Sequence, residues 1–326
     1  KKKGPYIIAE IGSNHNGSIS IAKKTIIAAK KAGADCVKFQ SFTPESLFSH
    51  QFLDNNINLK KEVFKYFLSS KKLNILSDFC KKKSIDFAST PFSESELNFS
   101  HKKLKVKFIK IASMDLNNYP FLRKVAKIKK PVVLSTGMGS YIEINKALNI
   151  FKKYKTHVTL LHCVSMYPAK HSELNLKKIL LLKDKFKCEV GYSDHSIGPD
   201  ACILSSILGS KVIEKHFTLN KKMEGWDHHL SADFLELKYI IQKCQEMMKM
   251  LGTKSFDVKE SKKQIRAFRR SIVAKYDLPK GKKIKESDLD YKRPGNALSP
   301  ENNSKIIGRI LKKNIKFDQQ IKLNNF

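Results

Sequence analysis

Residues 187–216 read KCEVGYSDHSIGPDACILSSILGSKVIEKH. Their pattern predicts one complete strand–helix–strand unit, which makes this stretch the most informative about the fold. Two short apolar segments, Lys187–Ser193 and Ser210–His216, enclose a helical segment at Pro199–Leu208 with glycines on either side. The segments are continuous rather than alternating in hydrophobicity, which is typical of parallel strands covered on both faces. Both end in polar side chains, and parallel strands bring such ends together at one edge of a sheet.

The same kind of apolar segment occurs six more times before residue 187. These are Tyr6–Gly12, Asp35–Gln40, Ile85–Thr90, Lys107–Ser113, Pro131–Gly137 and His157–Cys163. Eight strands, mostly separated by stretches long enough for a helix, predict an α/β fold of the (β/α)₈ TIM-barrel type, whose active site lies at the C-terminal strand ends. Further helices are expected at Ser18–Lys31, Asn56–Lys82 (broken near residues 72–74), Tyr141–Lys155, Ser172–Lys185 and Ala232–Leu251.

The character of the chain changes after Gly252. Residues 1–252 are assigned to the barrel, and residues 253–268 are polar, rich in lysine and read as a linker. Residues 269–326 consist of short segments divided by Pro and Gly, which predicts a small, mostly β domain. A core of that size is marginal by itself, so docking against a partner surface is expected to stabilise it.

The formal net charge of +33 raises the question of nucleic-acid binding. Only six of the 63 basic residues are arginines, whereas readers of bases and phosphates use the bidentate arginine fork. The lysines are spread over nearly all of the predicted helical stretches, with runs at residues 1–3 and 81–83. This distribution favours a solvated lysine-rich surface, with attraction of an anionic substrate as the second interpretation and no nucleic-acid partner.

Membrane insertion and secretion are not expected either. No apolar run approaches the ~20 residues that a membrane-spanning helix needs. The first residues enter a strand without the apolar stretch and cleavage site of a signal peptide. Six cysteines are scattered without C-x-x-C spacing, which suits a reducing compartment. These features predict a cytoplasmic protein.

Two histidines follow neighbouring strands, His195 after the seventh and His216 after the eighth. Because adjacent strands lie ~5 Å apart, the two imidazoles are close enough to share one divalent ion. Neutral imidazole suits Mn²⁺, Fe²⁺, Co²⁺ or Zn²⁺, and two protein ligands leave positions open for substrate or water. The alternative is a hydrogen-bonded histidine pair without metal.

Ammonium and hydroxyl groups also gather at the predicted strand ends. Inward-facing lysines are costly unless an anion is present, and the mixture suits phosphate or carboxylate. The donors are Lys38, Thr90, Lys110, Ser113, Ser135 and Ser193. Alternatively, the lysines pair with local carboxylates such as Glu10 and Asp115, which otherwise are candidates for proton transfer. The loop SNHNG, residues 13–17, either contacts a sugar or simply makes a turn.

Eight of these motifs, in this order, resemble those of the sialic acid synthase family: AEIGSNHNG, VKFQ, STPFS, KIAS…NNYP, LSTGM, LHC…YP, YSDHS and EKHFTL. The segment SIVAKYDLPKGKKIKESDLDYKRPGNA resembles the antifreeze-like (SAF) domain of that family. The resemblance implies condensation of phosphoenolpyruvate with an N-acylated amino-hexose to a nonulosonic acid, with release of phosphate, in the biosynthesis of cell-surface carbohydrate.

The resemblance also implies roles for individual residues. His195 and His216 would hold the metal ion, with Mn²⁺ expected and Mg²⁺ or Co²⁺ as alternatives. Glu10 and Asp115 would lie beside the reacting carbons as catalytic residues. Arg293 would reach the substrate in the other subunit of a domain-swapped homodimer. Phosphoenolpyruvate would bind to Lys38, Thr90, Lys110, Ser113, Ser135 and Ser193, and further substrate contacts would come from Gln40, Tyr167 and Asp227.

Some positions depart from the family pattern. Asp115 and Met114 stand where the family commonly has Glu and Gly, and Ser165 stands where some members carry Asn. Trp226, in the loop Met223–Ser231, replaces a common Pro, and its surroundings are nearer to synthases of legionaminic and pseudaminic acids. Trp226 either packs against the sugar or buttresses the loop.

Two other functions compete with this interpretation. One is a different phosphoenolpyruvate-dependent barrel synthase that uses a phosphorylated sugar. The other is a non-enzymatic SAF-type binding or ice-surface protein, which the many lysines of residues 269–326 disfavour.

Overall fold

The computed structural model describes residues 4–253 and 255–326. The lysine run at residues 1–3 and Lys254 of the predicted linker lie outside the described residues. The chain divides into two compact units, the first ending at Gly252 and the second beginning at Thr253.

The first unit contains an eight-stranded parallel sheet that curls into a barrel. Neighbouring strands follow the order β3-β2-β1-β8-β7-β6-β5-β4, and β3 also lies against β4, which brings the two ends of the sheet together. The predicted TIM barrel is therefore confirmed. The strands are β1 (Tyr6–Glu10), β2 (Cys36–Ser41), β3 (Asp86–Pro91), β4 (Ile109–Ile111), β5 (Val132–Ser135), β6 (Val158–His162), β7 (Glu189–Asp194) and β8 (Val212–His216).

Helices follow the strands and cover the outside of the barrel. Leu, Ile, Val and Ala side chains between the strands and the helices form the main core. The helices are α1 (Ile19–Ala32), α2 (Pro44–Leu47), α3 (His50–Asn55), α4 (Ile57–Tyr66), α5 (Ser70–Lys82), α6 (Glu94–Lys102), α7 (Tyr119–Lys127), α8 (Tyr141–Lys153), α9 (Lys178–Phe186), α10 (Asp200–Ile207), α11 (Phe234–Leu251) and α12 (Lys262–Phe268).

The break in the long helical stretch 56–82 lies earlier than the sequence indicated. It falls at residues 67–69 rather than near 72–74, because Ser69 begins α5 by accepting a hydrogen bond from the amide of Lys72. Helices α2, α3, α6 and α7 were not predicted individually. No helix within the described residues is both long and apolar enough to cross a membrane.

The second unit contains an antiparallel pair of strands, β9 (Ser271–Ala274) and β10 (Leu289–Lys292). Its core is a separate cluster of apolar side chains that includes Ile272, Leu278 and Ile306. Helix α12 occupies part of the predicted linker. It begins with a capping box between Ser261 and Gln264 but buries none of its residues, so the sequence lacks the apolar periodicity that would have revealed it.

Candidate active site

A cleft of about 540 Å³ opens at the C-terminal ends of the barrel strands. It collects most of the residues singled out from the sequence. Those lining it are Glu10, Lys38, Gln40, Thr90, Lys110, Ser113, Ser135, Tyr167, Ser193, His195, His216 and Asp227. A larger cavity of about 680 Å³, at the opposite ends of β6 and β7, contains none of them, so we place the chemistry in the smaller cleft.

Two lysines and two glutamates form the floor of the cleft. The ammonium nitrogen of Lys38 lies 2.6 Å from Glu10 Oε2 and 3.7 Å from Glu214 Oε2. The ammonium nitrogen of Lys110 lies 3.8 Å from Glu214 Oε1. All four side chains are at least 93% buried. Glu214 therefore lies between two cations. The sequence left open whether local carboxylates such as Glu10 and Asp115 neutralise the lysines; in the structure Glu10 and Glu214 pair with them, and Asp115 does not.

The buried charges shift one another's pKa values. Burial alone would lower the pKa of Lys38, but Glu10 and Glu214 raise it above the usual value. Burial lowers the pKa of Lys110, and Glu214 offsets only part of that shift. Burial also raises the pKa of Glu10, although Lys38 opposes the shift. Of the two carboxylates, Glu10 and Glu214, it is therefore Glu10 that takes up a proton more readily than a glutamate in water does.

Hydroxyl groups surround the two lysines. Lys38 donates a hydrogen bond to Thr90 Oγ1 at 3.0 Å, and Lys110 donates one to Ser135 Oγ at 2.8 Å. Ser193 donates to Glu214 Oε1 at 2.9 Å. These groups come from β2, β3, β4, β5, β7 and β8, so the barrel closure itself brings them together.

Gly137 provides space beside these hydroxyls. Its amide donates to Ser113 Oγ at 3.1 Å. A Cβ atom at this position would lie 2.5 Å from Ser165 Oγ and 2.8 Å from Cys163 Sγ. Only glycine fits here without displacing groups of the cleft wall.

The two histidines meet at the other side of the cleft, with ring centroids 5.5 Å apart. Nδ1 of His195 donates to the carbonyl oxygen of Val164 at 2.6 Å, which leaves Nε2 as the unprotonated nitrogen. Burial lowers the pKa of His195 to about 4, with His216 adding to the shift, so the imidazole is neutral. Nδ1 of His216 is buried without a hydrogen-bond partner among the described groups and lies 3.7 Å from Asp227 Oδ2.

This pair fits a metal ion. A neutral imidazole whose second nitrogen binds a backbone carbonyl is the usual arrangement of a metal-ligating histidine, and the unpartnered nitrogen of His216 shows that this ring's hydrogen bonding is incomplete. The described residues contain no group of three or more His, Cys, Asp or Glu side chains arranged for metal binding. The sequence predicted two protein ligands, His195 and His216, and the metal site stays a prediction.

Asp227 and Trp226 form the outer wall on the side of β8 and β1. Asp227 Oδ2 accepts a hydrogen bond from Ser13 Oγ at 2.9 Å. Trp226 donates to Glu62 Oε2 at 2.7 Å, and its ring packs edge-on against Tyr66 with centroids 4.7 Å apart. The indole therefore supports the loop and also lines the cleft.

The loop at residues 13–17 forms a turn and holds the neighbouring loop 223–231. Asn14 donates to Ser231 Oγ at 2.8 Å, and Asn16 donates to the carbonyl oxygen of Glu224 at 3.0 Å. No residue of this turn lines the cleft within the described chain. Its contacts position Asp227 and Trp226.

One predicted site residue of the barrel, Asp115, does not line the cleft, and another, Arg293, belongs to the second unit. Asp115 is buried beside the cleft and accepts a hydrogen bond from Asn118 Nδ2 at 3.0 Å, while Met114 lines the cleft instead. Burial raises the pKa of Asp115. Arg293 lies in the second unit, where its guanidinium is 5.7 Å from the centre of the Phe268 ring. Their functional assignments remain predictions.

Sequence reasoning gave no role to Glu214, although the signal was present. Side chains two apart on a strand share a face, so Glu214 had to point into the barrel mouth with His216. The apolar lining residues Phe92 and Met138 were also missed, because a loop side chain carries no periodicity that reveals its direction.

Comparison with known proteins agrees with this arrangement. Residues 25–256 match the model of the NeuB family, and residues 269–326 match that of the SAF domain. An N,N'-diacetyllegionaminic acid synthase of Campylobacter jejuni is 40% identical, over 98% of this chain and 99% of the relative. A pseudaminic acid synthase of the same species is 35% identical, over 99% and 97% of the two chains.

The structural comparison extends the agreement to the fold. A crystal structure of an N-acetylneuraminic acid synthetase from Leptospira borgpetersenii, in complex with citrate, superposes with a TM-score of 0.74. It is 36% identical, and the match covers 80% of this chain and 90% of the other. The matched family model, the identity over nearly the whole length and the shared fold together show that the chain belongs to the NeuB family.

Proposed function

We propose that the protein is a nonulosonic acid synthase, a transferase that condenses phosphoenolpyruvate with an N-acylated amino-hexose and releases phosphate. The observation that carries the proposal is the pair of buried lysines, Lys38 and Lys110, in the same cleft as the histidine pair His195 and His216. Relatives named for legionaminic and pseudaminic acid synthesis support the same reaction class.

The lysines and hydroxyls suit the phosphate and carboxylate of phosphoenolpyruvate. Each lysine already has a hydroxyl partner, Thr90 or Ser135, so the donors are held in place before the substrate arrives. Such fixed donors stabilise charge as it moves during the reaction, without reorganising at that moment. Ser113 and Ser193 complete the proposed anion site.

His195 and His216 would hold a divalent ion, with Mn²⁺ expected from the resemblance. When bound, the ion would polarise the aldehyde oxygen of the open-chain sugar. The hydrogen bond from His195 to Val164 fixes the tautomer that leaves Nε2 as a ligand. Asp227 lies close enough to His216 to orient a sugar hydroxyl beside it.

The proposed reaction forms one carbon–carbon bond and replaces the bond from C2 to the phosphate oxygen by a bond from C2 to the oxygen of water. C3 of phosphoenolpyruvate bonds to C1 of the sugar, whose aldehyde oxygen takes up a proton. Water adds to the cationic C2 and loses a proton, and the tetrahedral centre then expels phosphate. Glu10, whose pKa is raised by burial, would move a proton between these oxygens. Asp115 is the second candidate for this task.

The homodimer remains part of the proposal. Arg293 of one subunit would contact the acyl group of the sugar bound in the other. Within the described second unit, Asp288 pairs with Lys282 and Asp290 with Lys292. These two carboxylates are the nearest to Arg293 in sequence, and their pairing with lysines supports a contact of Arg293 with a group outside its own domain.

A panel of acceptor sugars tests the proposal. Phosphoenolpyruvate-dependent phosphate release should be measured with N-acetylmannosamine, its 6-phosphate and diacetamido-trideoxyhexoses. Release with one of the unphosphorylated sugars is expected. Release only with the phosphorylated sugar would favour another phosphoenolpyruvate-dependent synthase, and no release with any sugar would favour a binding protein.

A further inference from the structure

Behind the two histidines lies a fully buried ion pair that the proposed reaction does not use. Lys215 Nζ is 2.7 Å from Asp194 Oδ2, and both side chains are completely inaccessible to solvent. Asp194 directly precedes His195, and Lys215 directly precedes His216. The two charged residues face each other in register on β7 and β8.

The pair points away from the cleft. Successive side chains of a strand point to opposite faces, and Ser193, Glu214 and His216 line the cleft whereas Asp194 and Lys215 do not. Their charged ends lie on the helix side, where Cys202 of α10 donates to Asp194 Oδ2 at 3.3 Å. Neither group can therefore contact the substrate.

The pair also fixes the turn after β7. Asp194 Oδ1 accepts hydrogen bonds from the amide and the hydroxyl of Ser196, at 3.0 and 2.7 Å. It accepts a third from the Tyr192 hydroxyl at 3.0 Å. Lys215 donates to the carbonyl oxygen of Ser196. Ser196 follows His195, so the network holds the backbone on both sides of that histidine and joins it to the strand that carries His216.

Stability does not explain such a pair. Removing two charges from water is expensive, and replacing a buried ion pair by apolar residues of similar volume is often neutral or stabilising. A network of this kind does, however, specify one geometry, because every member has a fixed partner. Asp194 and Lys215 directly precede the two histidines on paired strands, so the geometry that the network specifies is that of the backbone carrying both imidazoles.

We propose that Asp194 and Lys215 are positioning residues that set the separation and height of His195 and His216 for a shared divalent ion. This inference rests on the proposed metal site. It assigns to the first residue of each pair, Asp194-His195 and Lys215-His216, a function that neither the anion site nor the sugar site supplies. Partners behind metal ligands typically change metal affinity about 10- to 100-fold when they are removed.

The test is the Mn²⁺ affinity of the substrate-free protein, measured from the electron paramagnetic resonance signal of unbound Mn²⁺. The double variant Asp194→Asn, Lys215→Met removes both charges and leaves no uncompensated ion. We expect it to unfold at the wild-type temperature or higher and to bind Mn²⁺ about 10- to 100-fold more weakly. Tyr192→Phe, which deletes a single hydrogen bond to Asp194, should give a smaller loss in the same direction and keeps the test valid if the double variant does not fold.

Two controls separate positioning from general distortion. The exposed pair Glu94 and Lys124 joins α6 to α7, and its double variant Glu94→Gln, Lys124→Met should bind Mn²⁺ like the wild type. Phosphoenolpyruvate binding to metal-free protein, followed by the fluorescence of Trp226, the only tryptophan of the chain, should not change in the Asp194 and Lys215 variant.

Unchanged Mn²⁺ affinity in the folded variants would overturn the inference, and so would an equal loss of phosphoenolpyruvate affinity. If the wild type itself binds no Mn²⁺, the proposed metal site fails and this inference fails with it. If instead the wild type binds Mn²⁺ and the variants bind it equally well, the metal site stands and only the positioning role is rejected.

Discussion

The ammonium nitrogen of Lys38 lies 2.6 Å from a carboxylate oxygen of Glu10, and the two residues face each other in register on β2 and β1. Both are almost completely buried. The pair keeps a cation charged at the bottom of the cleft, where burial alone would favour loss of its proton. An anionic substrate entering the cleft must therefore compete with Glu10 for Lys38.

Replacing Lys38 by Met should weaken phosphoenolpyruvate binding selectively. A hydrogen bond to a charged group contributes ~1.5–3 kcal/mol, so the KM for phosphoenolpyruvate should rise roughly ten- to a hundredfold. The KM for the sugar should change much less. Lys107→Met is the matched control, because Lys107 pairs with Asp86 at the surface. The measurement is steady-state kinetics with each substrate varied in turn. A rise in the KM for the sugar alone would mean that Lys38 does not bind phosphoenolpyruvate.

Glu10→Gln should separate binding from turnover. The amide keeps the size of the side chain but cannot transfer a proton, so kcat should fall by about 10²–10⁴ if Glu10 relays protons. Phosphoenolpyruvate should bind as tightly as before or more tightly, because a carboxylate that competes for Lys38 has been removed. Glu189→Gln, at the start of β7, serves as the control. A normal kcat would transfer the proton-relay task to Asp115.

Metal dependence follows from the histidine pair. Chelation should abolish turnover, and adding Mn²⁺ should restore it. His216→Ala should remove activity but leave the unfolding temperature nearly unchanged, because the barrel mouth contributes little to the core. The control is His171→Ala, since His171 is exposed and lies outside the cleft. Activity in a His216→Ala protein shown by elemental analysis to be free of metal would contradict the assignment.

The barrel was predictable because the sequence contains eight apolar segments, most of them separated by a stretch long enough for a helix. Their ends identified Lys38, Lys110 and His216 as neighbours, since parallel strands place their C-terminal residues in one layer. What the strands could not show was the pairing within that layer. The strand period shows that Glu214 points inwards with His216, but its position between two lysines depends on barrel closure and side-chain rotamers, which no local pattern shows.

The outer wall of the cleft was less predictable for the same reason. Trp226 was recognised as unusual, but its partner Glu62 lies 164 residues away in α4. Likewise, the turn at residues 13–17 acts by holding another loop, which no turn propensity indicates. Contacts between loops that are distant in sequence leave no periodic signal.

Trp226 should influence which acceptor sugar is used. Its indole offers an apolar face that can pack against an acetamido methyl group or a deoxy carbon. Trp226→Pro should change the ratio of kcat/KM between diacetamido-trideoxyhexoses and N-acetylmannosamine. Glu62→Gln keeps the indole but weakens the hydrogen bond that fixes it, so it should shift the ratio less. An equal loss of activity with every sugar would mean that Trp226 only supports the loop.

Arg293 provides a test of the proposed swapped dimer. In that dimer, each active site combines the barrel of one subunit with Arg293 of its partner. His216→Ala therefore removes a group that one subunit supplies to the site, and Arg293→Ala removes a group that the other subunit supplies. Each variant alone should be inactive or nearly so. Mixed dimers should contain one site with both lesions and one site with neither.

Co-refolding equal amounts of the two variants should therefore restore activity. Random pairing makes half of the dimers mixed, and one site of each mixed dimer is intact, so about a quarter of the wild-type activity per total site is expected. Arg270→Ala, which removes a neighbouring arginine bound to the Tyr291 carbonyl oxygen, is the control and should be active without a partner. Dimers carrying two different affinity tags would confirm that mixing occurred. Confirmed mixed dimers as inactive as either parent would show that Arg293 does not act across the subunit boundary.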